Sequence, residues 1–361
     1  MEYLNLKKYG LTTEIMQKAE GFSDLCLARV IRQNRGSYDV VSENGEFQAS
    51  VSGKLFYLAE ESSSFPAVGD WVMTSFTKNP DELAVIHQIL PRKSVFERKA
   101  AGTSNTVQII AANIDTVFLC MSLNHDFNLR RMERYLTIAW DSGATPVIVL
   151  TKSDLCSDLP RYLQEVSSIS MFTDSIVCSA VDSDGLDSIA RRIHPGETVA
   201  FIGSSGVGKS TLINSLTGQK LLATREVRAG DDKGRHTTTR RELIVLPNGG
   251  IVIDTPGMRE LQLPGGNLSM AFEDIAELAT RCRFSDCSHR SEPGCAVRKA
   301  IETGALEQSR LDSYLKLQNE LSYSGLDSRE KENQKIERMF GGKSQFKQAM
   351  RKIKDKNKSR S

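Results

Sequence analysis

The sequence contains no apolar run that approaches the roughly 20 residues of a membrane span, so it predicts no transmembrane helix. Its first eight residues, Met1–Lys8, lack the apolar core of a secretory signal peptide. The formal net charge is only +2, so overall charge does not indicate a nucleic-acid partner. These absences favour a cytoplasmic globular protein, and 361 residues are enough for about two or three domains.

A disulfide framework is not predicted either. The chain has seven cysteines, and an odd number without a secretory signal favours a reducing compartment. Four of them lie in or beside apolar runs, and we expect them to be small buried hydrophobic residues: Cys26, Cys120, Cys156 and Cys178. The other three lie close together in the last third of the chain.

Those three cysteines form a metal-ligand pattern with one histidine. The spacing Cys282-x₄-Cys287-x-His289-x₅-Cys295 places three thiolates and one imidazole within fourteen residues. Three cysteines and a histidine are a common tetrahedral set for zinc, and four protein ligands predict a structural rather than a catalytic ion. The alternative is a group of buried cysteines without a ligand.

A phosphate-binding loop is the strongest motif in the chain. Residues 203–211 match the pattern G-x-x-x-x-G-K-[ST], after an apolar strand and before a helix. Backbone N–H groups of such a loop surround phosphate oxygens, Lys209 would reach the β and γ phosphates, and Ser210 would bind Mg²⁺. The predicted contacts are Gly203, Ser204, Ser205, Gly206, Val207, Gly208, Lys209, Ser210 and Thr211.

Two downstream segments complete a predicted magnesium site. Asp254 ends an apolar run in the motif D-x-x-G, where a carboxylate holds Mg²⁺ and the Gly257 N–H contacts a γ-phosphate. Between the two motifs, residues 234–240 read GRHTTTR and predict a polar loop. We favour Thr239 over Thr238 as its magnesium ligand.

A guanine-reading loop is predicted upstream of the phosphate loop. The sequence Thr151-Lys152-Ser153-Asp154 follows an apolar strand, and an Asp at this position accepts from guanine N–H groups that adenine does not offer. A second base-contacting loop is predicted at Ser179-Ala180. Thr151 stands where Asn is usual, which predicts weaker affinity; taken alone, T-K-x-D also fits an ordinary charged loop.

The remaining sequence predicts domains on both sides of this nucleotide site. Five short β-rich runs suit a small OB-type barrel, with Asn44-Gly45 as a hairpin turn; they are Leu25–Ile31, Tyr38–Ser42, Phe47–Leu55, Asp70–Phe76 and Leu83–Leu90. Such a barrel is either structural or RNA-binding, and Arg29, Arg32, Arg35 and Lys54 are candidate phosphate contacts.

Residues 91–102 read as a polar connection. Apolar strands then alternate with helical patterns such as Leu129–Trp140, which indicates a parallel sheet covered by helices. Helical runs Leu268–Thr280 and Ala296–Leu321 flank the metal ligands.

The order of the motifs resembles a known family. TKSD, GSSGVGKST, GRHTTT and DTPGM follow one another, so the guanine loop precedes the phosphate loop, unlike in ordinary GTPases. This ordered set is similar to the ribosome small-subunit-dependent GTPase A family, and the segments VGDWV at 68–72 and AANID at 111–115 agree. The resemblance covers roughly residues 25–340.

The resemblance implies a multi-domain fold with a five-stranded OB-type barrel, a circularly permuted α/β P-loop GTPase and a mainly helical zinc-binding domain. The expected segments are an N-terminal extension at 1–22, an RNA-binding barrel at 23–92, the GTPase at 97–264, the zinc domain at 265–340 and a basic tail at 341–361. The tail is either a solubilising segment or a polyanion contact. A monomer is expected.

The implied function is GTP hydrolysis during late maturation of the small ribosomal subunit. Met258 follows the D-x-x-G motif and does not orient water, so intrinsic turnover is expected to be slow and stimulated by the subunit and its rRNA. His236 is the candidate catalytic residue, the alternative being a contact with RNA phosphate. The alternative function is an RNA-binding scaffold with a vestigial nucleotide site, which the intact Lys209, Ser210 and Asp254 disfavour.

Overall fold

The computed structural model of the protein describes residues 4–59, 62–76, 83–99, 107–170, 173–219, 241–254 and 268–322. No helix within these ranges combines the length and the apolar character needed to cross a bilayer. The predicted residues Thr239, His236, Gly257 and Met258, and the basic tail, lie outside the described ranges.

The N-terminal part forms a closed barrel. Its elements are α1 (Leu4–Lys7), α2 (Thr13–Ala19), β1 (Cys26–Gln33), β2 (Tyr38–Ser42), β3 (Gly45–Val51), α3 (Gly53–Leu58), β4 (Trp71–Ser75) and β5 (Ala84–Ile89). The strand order is β1-β2-β3-β5-β4, and β4 pairs again with β1, which closes the barrel. The predicted five-stranded OB-type barrel is therefore confirmed. Its interior is apolar, with Val30, Val40 and Ile86 fully buried.

The predicted third strand, Phe47–Leu55, is wrong beyond Val51. Ser52 caps a helix instead, because its hydroxyl accepts the N–H of Leu55 at 3.1 Å. The apolar residues of α3 look like a strand in sequence, yet Tyr57 is 88% exposed and its neighbours Phe56 and Leu58 are exposed too.

The prediction of a buried Cys26 is also wrong, since this thiol is exposed at the start of β1, whereas Cys120 and Cys178 are buried as expected.

Arg29 is buried, and this corrects its assignment as a surface phosphate contact. Its guanidinium stacks on Trp71, 5.2 Å from the ring centroid. It donates to three oxygens: the carbonyls of Gly69 (3.3 Å) and Tyr9 and the hydroxyl of Thr198 (2.9 Å). Burial lowers the pKa of Arg29 to about 10, although Asp115 and Asp70 oppose the shift. Arg29 therefore joins the N-terminal extension, the barrel and the central sheet.

A second correction concerns residues 91–102. They are not only a connection, because β6 (Val95–Lys99) pairs antiparallel with β7 (Val107–Ala112) as a separate two-stranded ribbon. Three of the five residues of β6 are charged (Glu97, Arg98 and Lys99), so the run reads as polar in sequence although Phe96 is buried.

The central part is a six-stranded sheet with helices packed on it. Its elements are β8 (Thr116–Ser122), α4 (Leu129–Ser142), β9 (Thr145–Thr151), α5 (Leu159–Ser167), β10 (Ser175–Val177), α6 (Leu186–Arg191), β11 (Thr198–Gly203), α7 (Lys209–Thr217), β12 (Arg241–Val245) and β13 (Ile251–Asp254). The order is β10-β9-β8-β11-β13-β12, and only β12 is antiparallel to its neighbour. Every residue of β8 and β11 is buried, as expected for parallel strands covered on both faces.

The central sheet continues into the barrel. Strand β12 pairs antiparallel with β1 through Arg32 opposite Glu242 and Gln33 opposite Arg241. The side chain of Arg32 is paired with Glu242 and, at 2.7 Å, with Asp39, so it is not an open phosphate contact as predicted. Arg35 is exposed, and so is Lys54.

The C-terminal part consists of three helices around the cysteine and histidine cluster. They are α8 (Glu273–Ala279), α9 (Ala296–Glu302) and α10 (Gln308–Ser322). The predicted run Ala296–Leu321 is therefore two helices, because the chain turns after α9 at Gly304, whose φ of 75° is left-handed. Helix α10 packs on α4 of the central part, where Arg310 contacts the fully buried Glu133 at 2.8 Å.

Candidate functional site

The phosphate loop connects β11 to α7, as predicted. Gly206 and Gly208 have backbone φ angles of 74° and 108°, which residues other than glycine rarely adopt. Gly203 is constrained differently, because a Cβ on it would lie 2.6 Å from the carbonyl oxygen of Cys120 on β8. The three glycines of the motif therefore have conformational or steric reasons to be glycine. The loop leaves backbone N–H groups at the N-terminus of α7, the usual arrangement for phosphate binding.

The lysine of the motif lies against its own loop. Nζ of Lys209 donates to the carbonyl oxygens of Gly203 at 2.6 Å and Ser204 at 2.7 Å. The ammonium group is thus held beside the segment whose N–H groups would face phosphates. Beneath the loop, burial raises the pKa of the Cys120 thiol to about 12, although Lys209 opposes the shift, so this thiol is neutral.

The two predicted guanine loops meet at the same edge of the sheet. Oδ1 of Asp154 accepts a hydrogen bond from the hydroxyl of Ser179 at 2.7 Å, and the N–H of Ser153 donates to the carbonyl of Cys178 at 3.2 Å. The Ser179 hydroxyl in turn accepts two backbone N–H groups, those of Val181 (3.3 Å) and Asp182 (3.2 Å). The second loop therefore orients the carboxylate of the first, with Ala180 next to the contact.

Thr151 links the guanine loop to the phosphate loop. Its side chain is buried, and its hydroxyl donates to the carbonyl of Val207 at 2.7 Å. A shorter side chain than Asn thus makes a contact between neighbouring loops, and the hydroxyl is directed at the phosphate loop. Lys152 follows with φ of 59°, a left-handed conformation that turns the chain toward Asp154.

Thr151→Val is expected to lower folding stability by about 1 kcal/mol and, because it loosens the contact between the two nucleotide loops, to weaken GTP binding by roughly fivefold. The substitution keeps the shape of the side chain but leaves the buried carbonyl of Val207 without this donor, at a cost of about 1 kcal/mol. A nucleotide titration and a thermal melt measure the two effects. Thr145→Val, at the exposed start of the same strand, is the matched control. Unchanged GTP affinity would contradict the linking role.

The predicted magnesium ligands are only partly described. Asp254 ends β13, which lies next to β11 in the sheet, so it emerges at the same edge as the phosphate loop. Ser210 is in the first turn of α7, directly after Lys209. Thr239 and Gly257 lie outside the described residues, as does His236.

The four predicted metal ligands lie together in space. Nδ1 of His289 is 3.7 Å from Sγ of Cys282 and 3.5 Å from Sγ of Cys295, and these two sulfurs are 3.9 Å apart. With Cys287, all four ligand atoms lie within 4.8 Å of one another. Ligands about 2.0–2.3 Å from a tetrahedral ion are separated from each other by about 3.5–3.8 Å. The cluster therefore has the dimensions of a four-ligand structural metal site.

The charges of the cluster also suit a cation. Burial opposes ionisation of Cys282, but the N–H groups of Ala296 and Val297 at the start of α9, with the adjacent thiols, lower its pKa below the usual range. Burial and the adjacent thiols raise the pKa of Cys287 to about 11. Thiolates this close repel one another, so a bound cation is needed to ionise all three.

One contact of the phosphate loop was not predicted from sequence. Asp126, in the loop between β8 and α4, accepts the hydroxyl of Ser204 at 2.6 Å. The available signal was positional, because β8 and β11 are parallel neighbours, so the segments that follow both strands lie at one edge. No motif marks Asp126, and the sequence alone does not show that β8 is adjacent to β11.

The fold and the site together define a circularly permuted P-loop GTPase. The family model described as RsgA GTPase matches residues 89–264. The chain is 55% identical over 353 residues to "Small ribosomal subunit biogenesis GTPase RsgA 2" of Lactiplantibacillus plantarum, covering 98% of each chain. It is 46% identical to the corresponding RsgA 1 of Oceanobacillus iheyensis over 320 residues, which are 88% of this chain and 90% of that one. The chain belongs to the RsgA GTPase family.

Solved structures agree with this assignment. YjeQ from Thermotoga maritima has a TM-score of 0.61 and 25% identity, over 82% of this chain and 99% of that one. YloQ, described as a circularly permuted GTPase, has a TM-score of 0.59 and 27% identity, over 82% and 95%. A model described as ABC transporter also matches residues 186–358, a range that contains the phosphate loop but not the guanine loop at 151–154.

Proposed function

We propose that this GTPase acts as an assembly factor in late maturation of the small ribosomal subunit. One observation carries the proposal: the guanine and phosphate loops meet at one edge of the sheet, in a chain 55% identical over 98% of its length to a small ribosomal subunit biogenesis GTPase. A GTPase that works on this particle needs domains that contact RNA. Its GTP-bound and GDP-bound states also need different affinities for the particle.

Exposed cations support contact with rRNA. Around the metal cluster, five basic side chains are exposed: Arg281, Arg283, Arg290, Arg298 and Lys299. Phe284 is exposed beside them, with the Arg283 guanidinium 5.5 Å from its ring centroid, an arrangement suited to stacking on a base. On the barrel, Arg35 and Lys54 remain as exposed candidates for phosphate contacts.

The proposed nucleotide site uses the sequence-predicted residues in their predicted roles. GTP would be bound by residues 151–154, 179–180, 203–211 and Gly257, with Mg²⁺ held by Ser210, Asp254 and Thr239. We take the structural ion of the cluster to be zinc, because three thiolates and an imidazole favour it over harder cations. Because the protein would act on ribosomal particles, we propose a cytoplasmic location, and we expect a monomer.

The GTPase rate with and without purified small subunits tests the function. Without Gln after D-x-x-G, we expect slow basal turnover and at least about tenfold stimulation by small subunits, because partners that complete such sites supply large factors. Large subunits serve as the matched control particle, and Lys209→Ala measures background hydrolysis. Equal rates with and without small subunits would favour the RNA-binding scaffold with a vestigial site.

The same assay examines His236, our proposed catalytic residue. His236→Ala should lower stimulated turnover by about tenfold or more, since a positioned acid or base contributes at least that much, while GTP affinity stays nearly intact. His194→Ala, which changes an exposed histidine outside the predicted motifs, is the control. If stimulated turnover is unchanged and subunit affinity falls, His236 contacts RNA.

A further inference from the structure

Asp126 connects the phosphate loop to helix α4. Its Oδ2 accepts from the hydroxyl of Ser204 at 2.6 Å and from Nη1 of Arg131, in the first turn of α4, at 2.9 Å. Ser204 is also a residue whose carbonyl accepts from Nζ of Lys209. One carboxylate therefore lies between the residue that receives the lysine and the start of a fourteen-residue helix.

The position of Asp126 is fixed by its own loop. Its N–H donates to Oδ1 of Asn124 at 3.0 Å, and the hydroxyl of Ser122, at the end of β8, donates to the same oxygen at 2.9 Å. Partial burial opposes ionisation of Asp126, but hydrogen bonds from Ser204 and Arg131 outweigh it and lower the pKa of this carboxyl. Hydrogen bonds to an ionised acceptor are stronger than those to a neutral one.

The C-terminal part, which consists of α8, α9 and α10 around the metal-ligand cluster and is called the metal-bearing part below, is attached to the next turn of α4. Glu133 is fully buried and accepts from Nη1 of Arg310 at 2.8 Å and from the hydroxyl of Ser313. Arg134 donates to both carboxylate oxygens of Glu320, at 2.7 Å through Nη2. Separating α10 from α4 would break this buried ion pair, so α10 is expected to follow movements of α4.

Arg310 extends this attachment to α8. Besides Glu133, it contacts both oxygens of Asp274 at 3.0 Å and the carbonyl of Ala271 at 2.8 Å, and it lies 4.2 Å from the ring centroid of Phe272. Two of the three C-terminal helices are thus held against α4 by one guanidinium group.

We propose that α4 transmits the state of the phosphate loop to the metal-bearing helices, with Asp126 as the positioning residue that couples the loop to α4. The proposal rests on the proposed nucleotide site. Phosphates that draw Lys209 away from the carbonyls of Gly203 and Ser204 change the environment of Ser204, the residue that Asp126 holds. Arg131, Glu133 and Arg134 then lie on one helix between that contact and α10. This route does not need residues 255–267, the direct chain connection between Asp254 and the metal-bearing part.

Hydrogen exchange of residues 308–322 tests the coupling in the full-length protein. Exchange is measured without nucleotide, with GDP and with a non-hydrolysable GTP analogue, each at saturation. We expect the analogue to change the exchange rate of α10 by about fivefold in the unmodified chain, the lower end of common coupling strengths. Asp126→Ala and Arg131→Ala should each reduce this change to less than about twofold. Asp126→Asn keeps an oxygen acceptor for Ser204 and should retain most of it.

Arg161→Ala is the matched control, because it removes an arginine of α5 whose carboxylate partner, Glu165, is on its own helix. Separate titrations of nucleotide affinity keep the two proposals apart. A wild-type chain that binds no guanine nucleotide refutes the proposed function. A wild-type chain that binds nucleotide without a change in α10, or alanine variants that keep the full fivefold change, overturn the coupling. If Asp126→Ala does not bind nucleotide, Arg131→Ala decides.

Discussion

Asp154→Asn is expected to weaken GTP binding by at least about 100-fold and to shift preference toward xanthine nucleotides. The carboxylate would accept two N–H groups of guanine, and hydrogen bonds to charged groups contribute about 1.5–3 kcal/mol each. An amide in its place offers a donor that matches the extra carbonyl of xanthine. Titration with guanosine, xanthosine and adenosine triphosphates measures the change directly.

Asp182→Asn is the control for that experiment. It makes the same change of charge in the second guanine loop, where the Asp182 backbone N–H contacts Ser179. GTP affinity should fall little in this variant. Unchanged GTP affinity in Asp154→Asn would show that residues 151–154 are an ordinary charged loop. Asp154 would then join the two loops through Ser179 without contacting guanine.

Cys295→Ser is expected to reduce bound zinc from about one ion per chain to nearly none and to unfold the metal-bearing part. Zinc bound at such sites contributes free energy on the order of 10 kcal/mol, which becomes folding free energy where the site forms only on folding. Cys295 also caps α9 through the N–H of Arg298, but serine keeps a capping oxygen at this position, so the expected unfolding follows from the loss of metal. Elemental analysis of protein purified without chelator and hydrogen exchange of α9 and α10 measure both effects.

Cys26→Ser provides the matched control, because it makes the same chemical change at an exposed thiol far from the cluster in sequence. Zinc content and exchange rates should match those of the unmodified chain. A full complement of metal in Cys295→Ser, or none in the unmodified protein, would contradict a four-ligand zinc site.

The barrel and the central sheet were predictable because their signals are local. Each signal determines the conformation of only a few neighbouring residues; examples are the alternating apolar residues, the Asn44-Gly45 turn and the glycines of the phosphate loop. The Cys282–Cys295 cluster was predictable for the same reason, since fourteen residues supply all four ligands. The ends of strands were harder to predict. Ser52 caps a helix, so the apolar run after it forms α3 and does not extend the strand.

The errors and omissions concern contacts between distant segments. Arginine in a strand normally suggests a surface, but Arg29 is buried because Trp71, Gly69 and Thr198 surround it, and Thr198 is 169 residues away. Asp126 has no motif, and its contact with Ser204 depends on which strands are neighbours in the sheet. Thr151 stands where Asn is usual, but its bond to Val207 depends on how the two loops pack, which the sequence does not show.

The pairing of β1 with β12 has a consequence for the synthesis of the protein. Arg32 and Glu242 are 210 residues apart, so β1 leaves the ribosome long before its partner in the central sheet has been translated. The barrel strands are contiguous in sequence and are able to pair early, whereas the junction with the central sheet has to wait for residues 241–245. Until then the outer side of β1 near Gln33 is an unpaired edge, the kind of surface that chaperones protect in nascent chains. The permuted order of the GTPase lengthens this interval, because it puts the guanine-loop strands ahead of the strand that completes the sheet.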